Sequence, residues 1–261
     1  MTLRAAVVLL FLLIAGHAHA DDEPWYRGKY GRNRVTHLVI TGTFAVGYVA
    51  TVTVLADPLS PNSCNWCDPP GFDRSIRNSL VWDDTKRANF LSNMSAYVVS
   101  PLVGISLLIA SERESTPAQI IDDVLPVVET VVISQVATNF VKIAVARRRP
   151  YATFGMPAQA TNEDNLSFWS GHSALAFGIT TSAGLVAHWR GYATEPYIWG
   201  AGIALSLSTE YLRIAADRHY FSDVVVGGLI GVGSGLLIPR LMRRDLELVP
   251  TSNGAAVVGS F

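Results

Sequence analysis

Residues 35–56 read VTHLVITGTFAVGYVATVTVLA, 22 residues without a lysine, arginine, aspartate or glutamate. A helix rises about 1.5 Å per residue, so a run of this length covers the roughly 30 Å hydrocarbon layer of a bilayer. Five further apolar segments follow, at about 91–110, 121–146, 173–189, 197–214 and 224–239. They are less pure: the third carries Glu129 and Lys142, the fifth carries Glu210 and Arg213, and the fourth and sixth are only 17 and 16 residues long. Two architectures accommodate them, a membrane bundle or a buried helical bundle exported as a soluble or peripheral protein. The membrane bundle is favoured, because six such segments leave a chain of 261 residues few polar helix faces to turn to water. The fold class read from the sequence is therefore all-α, a six-helix transmembrane bundle over residues 21–245.

Composition agrees. Hydrophobic residues make up 49% of the chain and charged ones 16%, with a mean hydropathy of +0.29. A formal net charge of -1 provides no basic field, so composition supplies no argument for nucleic acid as a partner. The opening MTLRAAVVLLFLLIAGHAHA has a basic start at Arg4, an apolar run from Ala5 to Ala15 and a small-residue ending at Ala18-His19-Ala20. It reads as a signal peptide over residues 1–20, with an uncleaved anchor as the alternative. Export would place the only two cysteines, Cys64 and Cys67 in NSCNWCDPPG, in an oxidising compartment where a local disulfide is the natural pairing. A zinc site would need a second ligand pair, and a redox role a thioredoxin-like context; the sequence displays neither.

Between the segments, Asp57 to Asn89 is rich in Pro, Asp and Asn and reads as an ordered loop or short helices over one end of the bundle. On the last segment Gly227, Gly231 and Gly235 recur every four residues, a smooth ridge for close helix packing. The tail from 246 to 261, LELVPTSNGAAVVGSF, reads as a short hairpin turned at Asn253-Gly254 or as a disordered end.

Ionisable residues in such a chain are costly, and three clusters of them stand out. In KIAVARRRP, Lys142 and Arg149 are seven residues apart, within about 20° of one helix face, and Pro150 sets Arg149 at the helix end. That pair suits an anion, although Arg147, Arg148 and Arg149 also read as a membrane-flanking stop. In FWSGHSALAFG, Ser170 is an N-cap, so the amides of Gly171, His172 and Ser173 point out of a helix N-terminus, where anions bind. His172 exchanges protons near neutral pH. In YLRIAADRHYFSD, residues 211–223, His219 and Asp223 are four apart, so on a helix the carboxylate would hold one ring nitrogen and leave the other free. Arg213 can face the same site only if the chain turns through IAADR. Asp217 and Arg218 receive no role beyond that turn.

In order and spacing the three clusters resemble the type-2 phosphatidic acid phosphatase superfamily, which includes lipid phosphatases, bacterial class A acid phosphatases and vanadium haloperoxidases. The superfamily pattern is K-x6-RP, PSGH and SR-x5-H-x3-D. Here Lys142 to Pro150 matches in full, Trp169 replaces the Pro of the second motif, and Leu212 replaces the leading Ser of the third. The missing hydroxyl at 212 leaves substrate affinity or selectivity open.

The resemblance implies a metal-independent phosphatase with its site at one end of the bundle and no cofactor. Carried over, His219 attacks phosphorus, Asp223 orients it, and His172 protonates the leaving oxygen and then activates water. Lys142, Arg149, Arg213, Ser170 and Gly171 bind the phosphate. Its implied substrate is a phosphorylated lipid of the phosphatidic acid, phosphatidylglycerophosphate, polyprenyl diphosphate or lipid A type. The same motifs leave open a soluble nonspecific acid phosphatase acting on small phosphoesters and a vanadate-dependent haloperoxidase. Outside catalysis they leave open an anion transporter or scaffold. Sidedness is contested. A cleaved signal followed by six spans would put the site inside, whereas the basic flanks RGKYGRNR and RLMRR mark the other end as cytoplasmic. The reading adopted is a bacterial-type envelope with a periplasm-facing site.

Overall fold

The computed structural model describes residues 34–111, 116–155, 163–243, 246–251 and 254–259. The signal-peptide reading of residues 1–20 lies outside them. Among the described residues the chain forms an antiparallel bundle whose long helices are α1 (Arg34–Val52), the continuous α4 and α5 (Thr85–Met94 and Ser100–Ala110, joined by a π-helical turn at Ser95–Val99), α6 (Pro117–Val145), α8 (Gly171–Arg190), α9 (Glu195–Ala215) and α10 (Phe221–Met242). Short helices α2 (Ala56–Leu59), α3 (Gly71–Leu80) and α7 (Pro150–Phe154) lie in the connections. Strands β1 (Leu246–Thr251) and β2 (Gly254–Gly259) pair as an antiparallel hairpin after the bundle. Thr251 pairs with Gly254, so Gly254 is already in the second strand, and the turn itself lies outside the described residues.

Local chemistry sets the helix ends, and several differ from the apolar segments. The second helix starts at Thr85, six residues before the apolar run, because the Asp84 side chain accepts a hydrogen bond from the Arg87 amide at 2.9 Å. The first stops at Val52, ahead of the β-branched Thr53 and Val54, and Thr53 turns its hydroxyl back to the Val49 carbonyl. Thr116 caps α6, with Pro117 in its first turn, and Ala146 closes it in the left-handed conformation at φ 47°. Ser170 caps α8, and Gly191 ends it at φ 66°, where a residue without a Cβ is unstrained.

Four helices, α1, the continuous α4–α5, α6 and α10, are long and apolar enough to cross a membrane by length and composition. The other two long helices differ because they serve the interior or the site. Fifteen of the 20 residues of α8 are buried, many of them Gly, Ala, Ser or Thr. Its hydroxyls are satisfied locally: Thr180 donates to the Ala176 carbonyl and Ser182 to that of Gly178. Around it Leu108, Val127, Leu175, Ile179, Val186 and Ile198 form the main apolar core.

The glycine ridge of α10 lies against α8. A Cβ at Gly227 would fall 2.4 Å from the Ser170 carbonyl oxygen, and one at Gly231 would fall 2.6 Å from that of Ala174. Close approach here sets the α8 and α10 N-termini side by side, which positions the site. Gly231→Ala should lower stability by about 1–3 kcal/mol through overpacking. Thermal unfolding in detergent checks this; an unchanged midpoint would contradict the packing.

Candidate active site

Each long helix brings one end to the same region: the C-terminal ends of α1, α6 and α9 and the N-terminal ends of α4, α8 and α10. They enclose a cavity of about 440 Å³. Lys142, Arg149, Gly171, His172, Arg213 and His219 all line it, so residues from three sequence clusters spanning 142–219 share one chamber.

The three cations arrive from different elements. Lys142 is on the last turn of α6, whereas Arg149 lies beyond the helix, its backbone extended as Pro150 demands. Arg149 donates to the carbonyls of Glu163 (2.8 Å) and Arg218 (3.1 Å), and its Nη1 stands 3.4 Å from His219 Nε2. Arg213, on the last turn of α9 and 4% exposed, donates to Asn89 Oδ1 (2.9 Å) and Ser92 Oγ (3.1 Å). Those neutral partners orient the guanidinium without neutralising it, so its charge remains available to an anion. The Glu163 carboxylate is 3.8 Å from Arg149 and 3.7 Å from Arg218, and it is largely exposed.

Gly171 opens α8. A Cβ there would sit 3.1 Å from Gln135 Oε1 and 3.8 Å from Lys142 Nζ, so glycine keeps this helix end open to the chamber. Ser170 behaves as a cap: its Oγ accepts from the Ser173 amide at 3.3 Å and from the Ser173 hydroxyl at 3.0 Å. His172 Nε2 bonds Asn93 Oδ1 at 2.8 Å, and the Tyr97 ring meets the imidazole edge-on. Asn93 precedes the π-helical turn and Tyr97 lies within it, a device common near functional sites.

The turn through IAADR is real. Asp217 takes φ 57°, and the amides of Arg218 and His219 both bond the Arg213 carbonyl, folding His219 back beside Arg213. His219 therefore precedes α10 rather than sharing a helix face with Asp223. Asp223 Oδ2 lies 3.6 Å from His219 Nδ1, beyond hydrogen-bond distance, and Nε2 is the nitrogen turned toward Arg149. Burial first, then Arg149, Arg213, Lys142 and His172, hold the His219 imidazole well below its ordinary titration range. It is thus neutral at physiological pH, the form that carries a nucleophilic lone pair.

Asp217 does more than complete the turn. It is buried, and Arg77 of α3 grips it with two hydrogen bonds of 2.7 Å each. Arg147, read above as part of a membrane stop, is buried and pairs with Asp73 and Asp223. Nothing in the RRR triplet distinguishes Arg147 from Arg148; the left-handed residue at Ala146 turns one inward and leaves the other exposed. Asn89, Asn93 and Asp73 were equally hidden, since single amides and carboxylates carry no spacing signal. Leu212 does not line the cavity. Cys64 and Cys67 are disulfide-bonded, with Cα atoms 5.3 Å apart, in a loop whose Asn65 amide bonds the Ala146 carbonyl beside the site.

A helical bundle that gathers three cations, a helix N-terminus and two histidines in one chamber is the frame of a phosphate-handling enzyme. Residues 123–247 match the PAP2 superfamily, a span that holds all three motifs. The protein is accordingly a phosphatase. Similar solved structures include LpxE from Aquifex aeolicus, at 22% identity over 65% of this chain and 93% of that one, with a TM-score of 0.47. Another is a transmembrane PAP2-type phosphatidylglycerolphosphate phosphatase from Bacillus subtilis, at 13% identity over 78% of this chain and 94% of that one, with a TM-score of 0.48. A comparison with curated protein sequences finds no match.

Proposed function

We propose that the protein hydrolyses the phosphate of a membrane lipid through a phosphohistidine on His219. The observation that carries the lipid reading is the make-up of the chamber. Its polar side holds Lys142, Arg149 and Arg213, while another wall is the end of α1, with Tyr48, Thr51, Val52 and Leu55. Val49 and Val52 on α1 and Tyr97 and Val98 opposite are exposed apolar groups beside it. A phosphate headgroup seated among the cations can therefore leave its acyl or prenyl chain along surfaces that face lipid.

In this reading the cations and the Gly171 amide hold the three non-bridging oxygens, over which charge spreads in the transition state. His219 Nε2 attacks in line, the P–O bond to the lipid breaks, and His172 gives its proton to the departing oxygen. His172 then takes a proton from water, which attacks phosphorus and releases inorganic phosphate and neutral His219. Asp223 stabilises the imidazolium side of the first step. Ser170 supports the amides as cap.

The site faces outward. Arg34 pairs with Asp122, and Met242 packs with Leu38 and Ile121, so the bundle begins and ends at the pole opposite the site. Basic residues flank that pole on both sides, at Arg34, Arg240 and Arg243, as cytoplasmic ends do. The Cys64–Cys67 disulfide lies at the site pole, which suits an oxidising periplasm.

The test is phosphate release by purified protein from a panel of phosphatidic acid, phosphatidylglycerophosphate, polyprenyl diphosphate and lipid A, beside water-soluble phosphomonoesters. Higher kcat/KM for at least one lipid is expected. Equal or better use of the soluble esters overturns the lipid assignment, and vanadate-dependent bromide oxidation without phosphate release would indicate the haloperoxidase.

A further inference from the structure

Among the buried cations that the mechanism leaves without a task, Arg147 lies nearest the site. Arg147 is 1% exposed, and its guanidinium lies between two carboxylates that are wholly buried. On one side Nη2 donates to Asp73 Oδ2 at 2.6 Å; on the other Nη1 donates to Asp223 Oδ1 at 2.5 Å and to Ser222 Oγ at 2.7 Å. The rings of Trp66 and Tyr220 stack against it, their centroids 3.7 and 4.4 Å from Cζ. Asp73 in turn accepts from the Ser222 amide (2.9 Å) and hydroxyl (2.6 Å), so the first turn of α3 is tied to the first turn of α10. Asp223 is completed by Ser167 Oγ (2.6 Å) and the Tyr220 amide (2.9 Å), both on Oδ2, the oxygen that faces His219.

We infer that Arg147 is a positioning residue for the phosphoryl-transfer step: clamped by Asp73, it fixes the Asp223 carboxylate beside His219 Nδ1 and draws part of its negative charge away from the imidazole. The inference rests on the proposed role of His219 as nucleophile. A carboxylate fully committed to the imidazole would favour the protonated ring, which cannot attack. Shared with Arg147, it orients Nδ1 and still responds when positive charge develops on the ring. His219 is otherwise faced by Lys142 from α6, Arg149 from the following link, His172 from α8 and Arg213 from α9. All four of those groups oppose its protonation when charged; of the carboxylates, that of Glu163 also lines the chamber but lies beside Arg149 and Arg218, whereas Asp223 stands 3.6 Å from Nδ1.

Opposite pH shifts follow. Arg147→Lys keeps a charge but loses the fork that spans both carboxylates. More of the Asp223 charge then reaches His219, so the acid limb of kcat/KM should move to higher pH, with kcat reduced roughly tenfold to a hundredfold and KM little changed. Asp73→Asn releases Arg147 to Asp223 alone and should move the acid limb to lower pH. The experiment measures kcat, KM and the pH profile of full-length wild type, Arg147→Lys, Arg147→Gln, Asp73→Asn and His219→Ala in detergent, with thermal unfolding of each. Should Arg147→Gln fail to fold, the opposed shifts of Arg147→Lys and Asp73→Asn carry the test. Folded variants with wild-type kcat and an unmoved acid limb overturn the positioning role while His219→Ala stays inactive. Activity surviving in His219→Ala instead overturns the underlying reading of the nucleophile.

Discussion

His219→Ala should abolish turnover while leaving the phosphate site intact, with kcat reduced on the order of a millionfold, as when the nucleophile of a concerted catalytic unit is removed. The structure explains why binding should survive. Lys142 and the Gly171 amide do not depend on the imidazole, Arg213 is held by Asn89 and Ser92, and Arg149 is anchored by the carbonyls of Glu163 and Arg218. Alanine also removes a buried ring whose Nδ1 makes no hydrogen bond, so little structure hangs on it. Phosphate release reports the first effect, and the inhibition constant for inorganic phosphate, expected to stay within a few fold, reports the second. Substantial turnover in this variant would move the nucleophile elsewhere.

Arg213→Ala should have the second-largest effect, a loss in kcat of about 10²–10³, the measured worth of one well-placed donor to a developing oxyanion. KM should rise with it, because a ground-state phosphate already feels the charge. Stability should move the other way or not at all. Without ligand, Arg213 sits in a chamber it shares with Lys142 and Arg149, and no carboxylate pairs with it among the described residues. Its removal therefore relieves like-charge repulsion, although it also leaves Asn89 and Ser92 with lost partners. Thermal unfolding with and without inorganic phosphate separates the two: phosphate should stabilise wild type more than the variant. Equal stabilisation of both would show that Arg213 does not hold the anion.

The bundle was legible in the sequence because apolar length is a one-dimensional property. Six segments became six long helices, and the glycine spacing of α10 met α8 as a ridge. Helix boundaries were less legible. They depend on caps such as Asp84 and Ser170 and on the left-handed Ala146, which hydropathy does not register.

Of the site, the residues with fixed spacing could be read, and the structure gathers Lys142, Arg149, Gly171, His172, Arg213 and His219 around one cavity. Its support could not be read. Arg147 and Asp73 are 74 residues apart and Arg77 and Asp217 are 140 apart, so each pair exists only once the α3 connection folds over the pole. The same fold adds two facts that spacing does not carry. Asp217 proved buried and paired, and Leu212, singled out for its missing hydroxyl, lies away from the cavity lining. The geometry of His219 and Asp223 also shifted: a helix cap, not a shared helix face, sets the carboxylate, through its bond from the Tyr220 amide.

The central claim is that phosphate passes through His219, and the configuration at phosphorus tests it most directly. A phosphomonoester made chiral with oxygen isotopes is hydrolysed by the wild-type protein in isotopically labelled water, and the configuration of the released phosphate is determined. Two successive in-line displacements, first by His219 and then by water, predict overall retention; inversion would mean that water attacks directly and would contradict the account.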